Sequence, residues 1–142
     1  MREAIRQAEK AAEYRDVPIG AVIVKDGKII GCGANRSEID KDPTQHAEII
    51  AIKDAAKNIG NHRLIGCSMY VTVEPCTMCA GACILARLDA VYAGAESPKS
   101  GAAGSVKDIF NEPGLNHRLY YEAGILGEEC ASLISGFFEE LR

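Results

Sequence analysis

The sequence has no apolar run long enough to cross a bilayer, so no membrane-spanning helix is expected. Its opening segment, MREAIRQAEKAAEYRD, is charged throughout and has no apolar block of the signal-peptide kind. A cytoplasmic protein is therefore expected. It also has no Gly/Ser-rich or Pro-rich linker, no internal repeat and no low-complexity tract, which leaves one domain over residues 1–142 as the reading. Histidine is scarce: any imidazole ligand must be His46, His62 or His117. Nor is there an excess of positive charge to advertise a nucleic-acid partner. The net charge of −4 resides in the segment from Asn111 onward, where six acids face two bases, and residues 1–110 balance. Whole-chain charge thus neither supports nor excludes an RNA partner.

Six cysteines are present, at Cys32, Cys67, Cys76, Cys79, Cys83 and Cys130. Without a secretory signal, reduced thiols and metal ligation are a better reading than a disulfide framework.

Along the chain, Ala4, Ile5, Ala8, Ala11 and Ala12 fall at helical spacing. Val17–Val24 (VPIGAVIV) is apolar on both alternating faces, as a strand covered on both sides would be. Asp26-Gly27 marks a hairpin turn into a return strand, Ile29–Ala34. Asp42 and Pro43 read as the cap and first residue of a helix carrying His46 about one turn in and ending near Gly60, with Gln45 as a capping-box partner. Ser68–Val73 is a strand, Thr77–Arg87 a helix, Ala90–Ala93 a short buried strand and Glu96–Ser105 a loop. Leu119–Glu122 and Glu128–Leu141 complete the pattern as strand and helix. The order implies an α/β protein with a mixed sheet between helical layers.

The chemistry is concentrated in HAE at 46–48 and PCTMC at 75–79. Zinc prefers imidazole nitrogen and thiolate sulfur, and a catalytic zinc keeps three protein ligands with a fourth position open to water. His46, Cys76 and Cys79 meet that count. The Cys76–Cys79 spacing puts both sulfurs on the first turn of a helix, where free N–H groups and the helix dipole favour thiolates. Glu48 is two residues from His46 and points away from the histidine direction on a regular helix. It is a poor additional ligand but a good candidate to exchange protons with water at the open position.

Other readings stand beside this one. A CxxC pair also serves as a redox motif or half of a structural zinc knuckle. Cys83, one turn beyond Cys79, could close the site as a fourth ligand, although AGACILA around it reads as a buried apolar face. Cys32, Cys67 and Cys130 read as core. His62 and His117 read as surface or loop-packing residues.

HAE followed thirty positions later by PCxxC resembles the signature of the cytidine-deaminase-like zinc deaminases. VPIGAVIV, GANR, DPTQHAEI, MYVTVEPCTMCAGA, SGAAGS at 100–105 and EPGLNHR at 112–118 extend the likeness, over nearly the whole chain, to the bacterial tRNA-specific adenosine deaminase family. The resemblance implies the three-layer cytidine-deaminase-like fold, with a central sheet of about five strands and one zinc per subunit. It implies hydrolytic conversion of the wobble adenosine of a tRNA anticodon, chiefly of an arginine tRNA, to inosine. It also implies binding of the anticodon stem-loop and a homodimer whose partner subunit helps form the RNA surface. Glu48 would be the proton carrier, and Asn35 in GANR would hydrogen-bond the flipped nucleotide, its plainer reading being a turn residue. Glu96 and Ser97 depart from the family pattern, where the second position is often acidic and the loop meets the flanking nucleotides. The sequence stops soon after Leu141, so the longer C-terminal helix that contacts RNA in relatives is expected to be absent or short. Arg36, Lys41, Arg63, Lys99, Lys107 and Arg118 are candidate phosphate contacts. Two other functions share parts of these motifs: a free-base or nucleoside deaminase acting on guanine or cytosine, and a zinc-binding module without catalysis.

Overall fold

A computed structural model describes residues 1–142. Helix α1 (Arg2–Glu13) buries Ala4, Ile5, Gln7, Ala8 and Ala11 along one stripe, close to the predicted set. Strand β1 (Gly20–Lys25) starts three residues after the predicted Val17. Pro18 cannot donate to a strand ladder, and the Ile19 N–H is turned back to the Val17 carbonyl at 2.8 Å. Asp26 and Gly27 both take positive φ, 50° and 74°, which makes a mirror-image turn into β2 (Lys28–Ala34).

Helix α2 (Ala47–Ile59) departs most from expectation at its start. The Asp42-Pro43 pair does not open it. The Asp42 carboxylate instead accepts the Thr44 N–H at 2.9 Å and the Thr44 hydroxyl at 2.7 Å, closing a local turn. The Gln45 amide donates to Asp40 at 2.8 Å, so no capping box forms. The N-cap is His46 itself, in extended backbone at φ −78° and ψ 152°. Gly60, at φ 71°, ends the helix where predicted.

Strand β3 (Cys67–Val73) leads through Glu74 and Pro75 into α3 (Thr77–Leu85), and β4 (Ala90–Ala95) follows. A 3-10 turn (Ile109–Asn111), β5 (Tyr120–Glu122) and α4 (Gly127–Glu140) complete the chain. The 3-10 turn is too short to leave a periodic signal.

The five strands lie in the order β2-β1-β3-β4-β5. Strand β1 runs antiparallel to β2 and β3, whereas β3, β4 and β5 are parallel, with Met69 opposite Val91 and Val91 opposite Tyr121. Helices α1 and α4 cover one face and α2 and α3 the other, which is the expected three-layer α/β/α arrangement. The main core lies on the α2–α3 side. Ala47, Ala51, Ala55, Ala80 and Cys83 meet Ile23, Met69, Val71 and Val91 there. Small residues let α2 sit close: a Cβ at Gly33 would lie 2.3 Å from the Ala47 carbonyl oxygen. That proximity fixes the N-terminus of α2 beside the end of β3. No helix is long and apolar enough to cross a membrane.

Candidate active site

Two helix N-termini converge where β3 ends. His46 is the N-cap of α2 and Cys76 the N-cap of α3, with Cys79 on the first turn of α3. His46 therefore lies at the helix boundary, not a turn inside it, and its ring is free of any capping bond. Its Nδ1 is 3.6 Å from Cys76 Sγ and 3.5 Å from Cys79 Sγ, and the three ligand atoms all lie within 4.8 Å of one another.

These separations fit zinc. Bond lengths of about 2.3 Å to sulfur and about 2.0–2.1 Å to nitrogen, at a tetrahedral angle, place N and S roughly 3.6 Å apart. The group stops at three residues. Cys83, fully buried on α3, has its sulfur 3.9 Å from Met69 Sδ and belongs to the core, so the trio is not closed by a fourth cysteine. The donor set and its count match a catalytic zinc centre.

Proton sharing inside the trio follows from its packing. The Cys79 thiol hydrogen-bonds Cys76, and His46 adds to this, holding the Cys76 thiol down at about 4 despite burial. Cys79 is pushed up by that same bond and by burial. His46 is raised by its bond to Cys76, against the effect of burial. A cation binding here displaces the retained protons, so its affinity is pH-dependent.

Glu48, on the first turn of α2, is 4% exposed. Burial raises its carboxyl above the usual range, its own N–H and the His46 charge work the other way, and the Cys79 thiol is within hydrogen-bonding reach. It is not one of the three residues of the ligand group. A carboxyl raised by burial holds its proton to higher pH than an exposed one does.

Asn35 is 4% exposed, but its side chain is engaged within the protein. Its amide donates to the Val17 carbonyl at 3.2 Å, and its oxygen accepts the Ser37 hydroxyl at 3.2 Å. The structure thus shows it first as a turn residue, at the end of β2. His62 is exposed, and His117 donates Nε2–H to the Leu88 carbonyl at 2.7 Å, so neither joins the trio. Cys67 and Cys130 are buried as expected, whereas Cys32 is partly exposed.

Of the basic candidates, Arg36 is occupied. It makes two 3.0 Å bonds to Asp40 and lies over the Tyr14 ring, 5.3 Å from its centroid. Arg118 donates to the Phe110 carbonyl. Lys41, Arg63, Lys99 and Lys107 are exposed and outside the ion pairs.

Sequence reasoning missed two buried carboxylates. Asp16, with no exposure, accepts the N–H groups of Glu38 and Ile39 at 3.0 and 3.1 Å and pins the segment ahead of His46. Glu74, between β3 and Cys76, accepts the N–H groups of Ser97, Ala103 and Ser105 at 3.2, 2.9 and 3.1 Å, together with the Ser105 hydroxyl. The available signal was an acid placed directly before PCTMC; its partners lie too far along the chain to read.

Comparison with known proteins extends the likeness to the full chain. The tRNA-specific adenosine deaminase of Bacillus subtilis is 45% identical over 142 residues, covering all of this chain and 88% of that protein. That of Haemophilus influenzae is 47% identical over 143 residues, covering all of this chain and 83% of its own. A structure from a study of A-to-I editing by tRNA:A34 deaminases superposes with a TM-score of 0.90 at 42% identity, covering 94% of this chain and 96% of that one. The cytidine-deaminase-like fold is thereby established. Matched across residues 1–142, the chain belongs to the MafB19-like deaminase family.

Proposed function

We propose that this protein hydrolytically deaminates the wobble adenosine of a tRNA anticodon, chiefly of an arginine tRNA, to inosine. The observation that carries the chemistry is the three-ligand trio of His46, Cys76 and Cys79 with the buried Glu48 against it. The substrate is that of relatives 45–47% identical over the full chain, named tRNA-specific adenosine deaminases.

In this reading His46, Cys76 and Cys79 hold one zinc, which, when bound, supplies a Lewis acid that makes water nucleophilic near neutral pH. Glu48 takes a proton from the attacking water as its oxygen bonds to the ring carbon bearing the amino group. The carboxyl passes that proton to the adjacent ring nitrogen, then takes the proton of the hydroxyl now on the carbon and delivers it to the amino group. The carbon–nitrogen bond breaks, ammonia leaves, and the remaining oxygen becomes the carbonyl of inosine. Burial of Glu48 raises its proton affinity toward this task. Asn35, with one amide hydrogen beyond its bond to Val17, orients the flipped nucleotide. The exposed Lys41, Arg63, Lys99 and Lys107 meet phosphates of the stem-loop. The working form is a cytoplasmic homodimer.

The test is incubation with an anticodon stem-loop carrying a wobble adenosine, followed by nucleoside analysis and an ammonia assay on free bases and nucleosides. Inosine in the stem-loop is the expected result. No inosine, together with turnover of guanine or cytosine, overturns the reading.

A further inference from the structure

The segment from Ser97 to Lys107 has little regular structure, yet its backbone is held at several points by two consecutive residues at the end of β3. Glu74 takes N–H groups from Ser97, Ala103 and Ser105 and the Ser105 hydroxyl. The Pro75 carbonyl takes the Ala102 N–H at 2.9 Å. The next residue is Cys76. The fit is close as well as polar: a Cβ at Gly101 would lie 2.4 Å from the Glu74 carboxyl, so only glycine admits the carboxylate there. Lys99 and Ser100 meanwhile stand exposed on the outer side of the segment.

One carboxylate therefore fixes an exposed rim to the same stretch of chain that carries a member of the metal trio. The segment is bonded to the two residues that precede Cys76, so a substrate larger than its reacting base has this stretch of chain at hand when the base reaches the trio. We propose that Glu74 is a positioning residue that sets the 97–107 segment relative to α3, and so sets how tightly a polynucleotide is held while its base reacts. This rests on the function proposed above. Glu74 touches neither the trio nor Glu48 through any hydrogen bond, so it governs binding of the long substrate, not the proton transfers. Both of its oxygens are needed: one meets the Ser97 N–H and the Ser105 hydroxyl, the other the Ala103 and Ser105 N–H groups. An amide in its place directs an NH2 at donors and leaves part of the set unpaired.

The experiment uses full-length zinc-loaded protein and the anticodon stem-loop, comparing Glu74→Gln with the parent. Expected are a KM raised about tenfold with kcat within about threefold. Zinc content stays at that of the parent, and amide exchange at Ser97, Ala103 and Ser105 accelerates while α3 stays protected. An unchanged KM despite faster exchange overturns the proposal, as does a fall in kcat at constant KM or a loss of zinc. Should Glu74→Gln not fold, Ser105→Ala, which removes one of the four bonds, carries the same test, with a smaller rise in KM at unchanged kcat. If the parent forms no inosine, the proposed function fails, and the exchange data alone still decide whether Glu74 anchors the segment.

Discussion

Glu48 and Glu74 are the same residue type, nearly equally buried at 4% and 5% exposure, each two residues along the chain from a member of the His46–Cys76–Cys79 trio. Their surroundings drive them apart. Burial dominates at Glu48 and raises its carboxyl. Burial acts at Glu74 as well, but hydrogen bonds from Ser105, Ala103 and Ser97 outweigh it and leave that carboxyl lowered. One is left able to gain and lose a proton; the other is kept ionised as an acceptor. Their linkage to stability has opposite signs. Glu74 stabilises the fold above the ordinary carboxylate range and loses that contribution as pH falls through its lowered value. Glu48 costs stability as pH rises from the ordinary range toward its raised value. The number of N–H groups aimed at each carboxylate, not the residue type, separates the carboxyl raised by burial from the one kept ionised.

The largest test of that separation is Glu48→Gln, which keeps shape and removes the titrating group. Turnover of the stem-loop should fall by roughly 10²–10⁴-fold, the usual worth of a positioned general acid–base. Zinc content should hold, and stability should be unchanged or higher by about 1 kcal/mol, since a desolvated carboxylate is removed. Single-turnover kinetics and urea unfolding read the two quantities. Glu74→Ala should show the opposite balance. It strands three backbone N–H groups and should cost about 2–3 kcal/mol in urea unfolding. A loss of stability with Glu48→Gln as large as that with Glu74→Ala would break the comparison.

The two carboxylates also differ in how far the sequence exposes them. Glu48 and the trio are legible because zinc chemistry demands particular residue types at short spacings, as in HAE and PCTMC. The sheet order follows from strands with strong apolar patterns, such as Ser68–Val73, and the Asp-Gly turn. Glu74 is not legible, because its partners lie 23–31 residues downstream and are backbone groups that any residue could supply. The start of α2 was misread for a related reason. Asp42 and Pro43 carry every local mark of a helix start, yet Thr44 competes for the Asp42 carboxylate and wins. Arg36 shows the same limit for charge. A basic residue in a loop looks available until Asp40, four positions on, takes its guanidinium.

A smaller effect sharpens the boundary of the metal group. Cys83 lies one turn from Cys79 on α3, and its thiol is held up by burial. Cys83→Ala should cost about 1–2 kcal/mol through lost packing against Met69 while zinc per chain stays constant. Cys79→Ala should lose the zinc outright. Metal analysis after dialysis compares them, and zinc loss from Cys83→Ala would place a fourth ligand in the site.

The smallest expected change is Ser97→Ala. What Glu74 holds at this position is the backbone N–H, which alanine retains. The hydroxyl reaches only Ser100, 3.1 Å away, in an exposed part of the segment. Stability should therefore move by no more than about 0.5 kcal/mol, and KM for the stem-loop by about twofold at most. If Ser97→Ala raised KM as far as Glu74→Gln does, the side chain itself would be gripping the substrate. The anchoring carboxylate would then be secondary to a direct contact, and the contrast between the two carboxylates would have to be redrawn around Ser97.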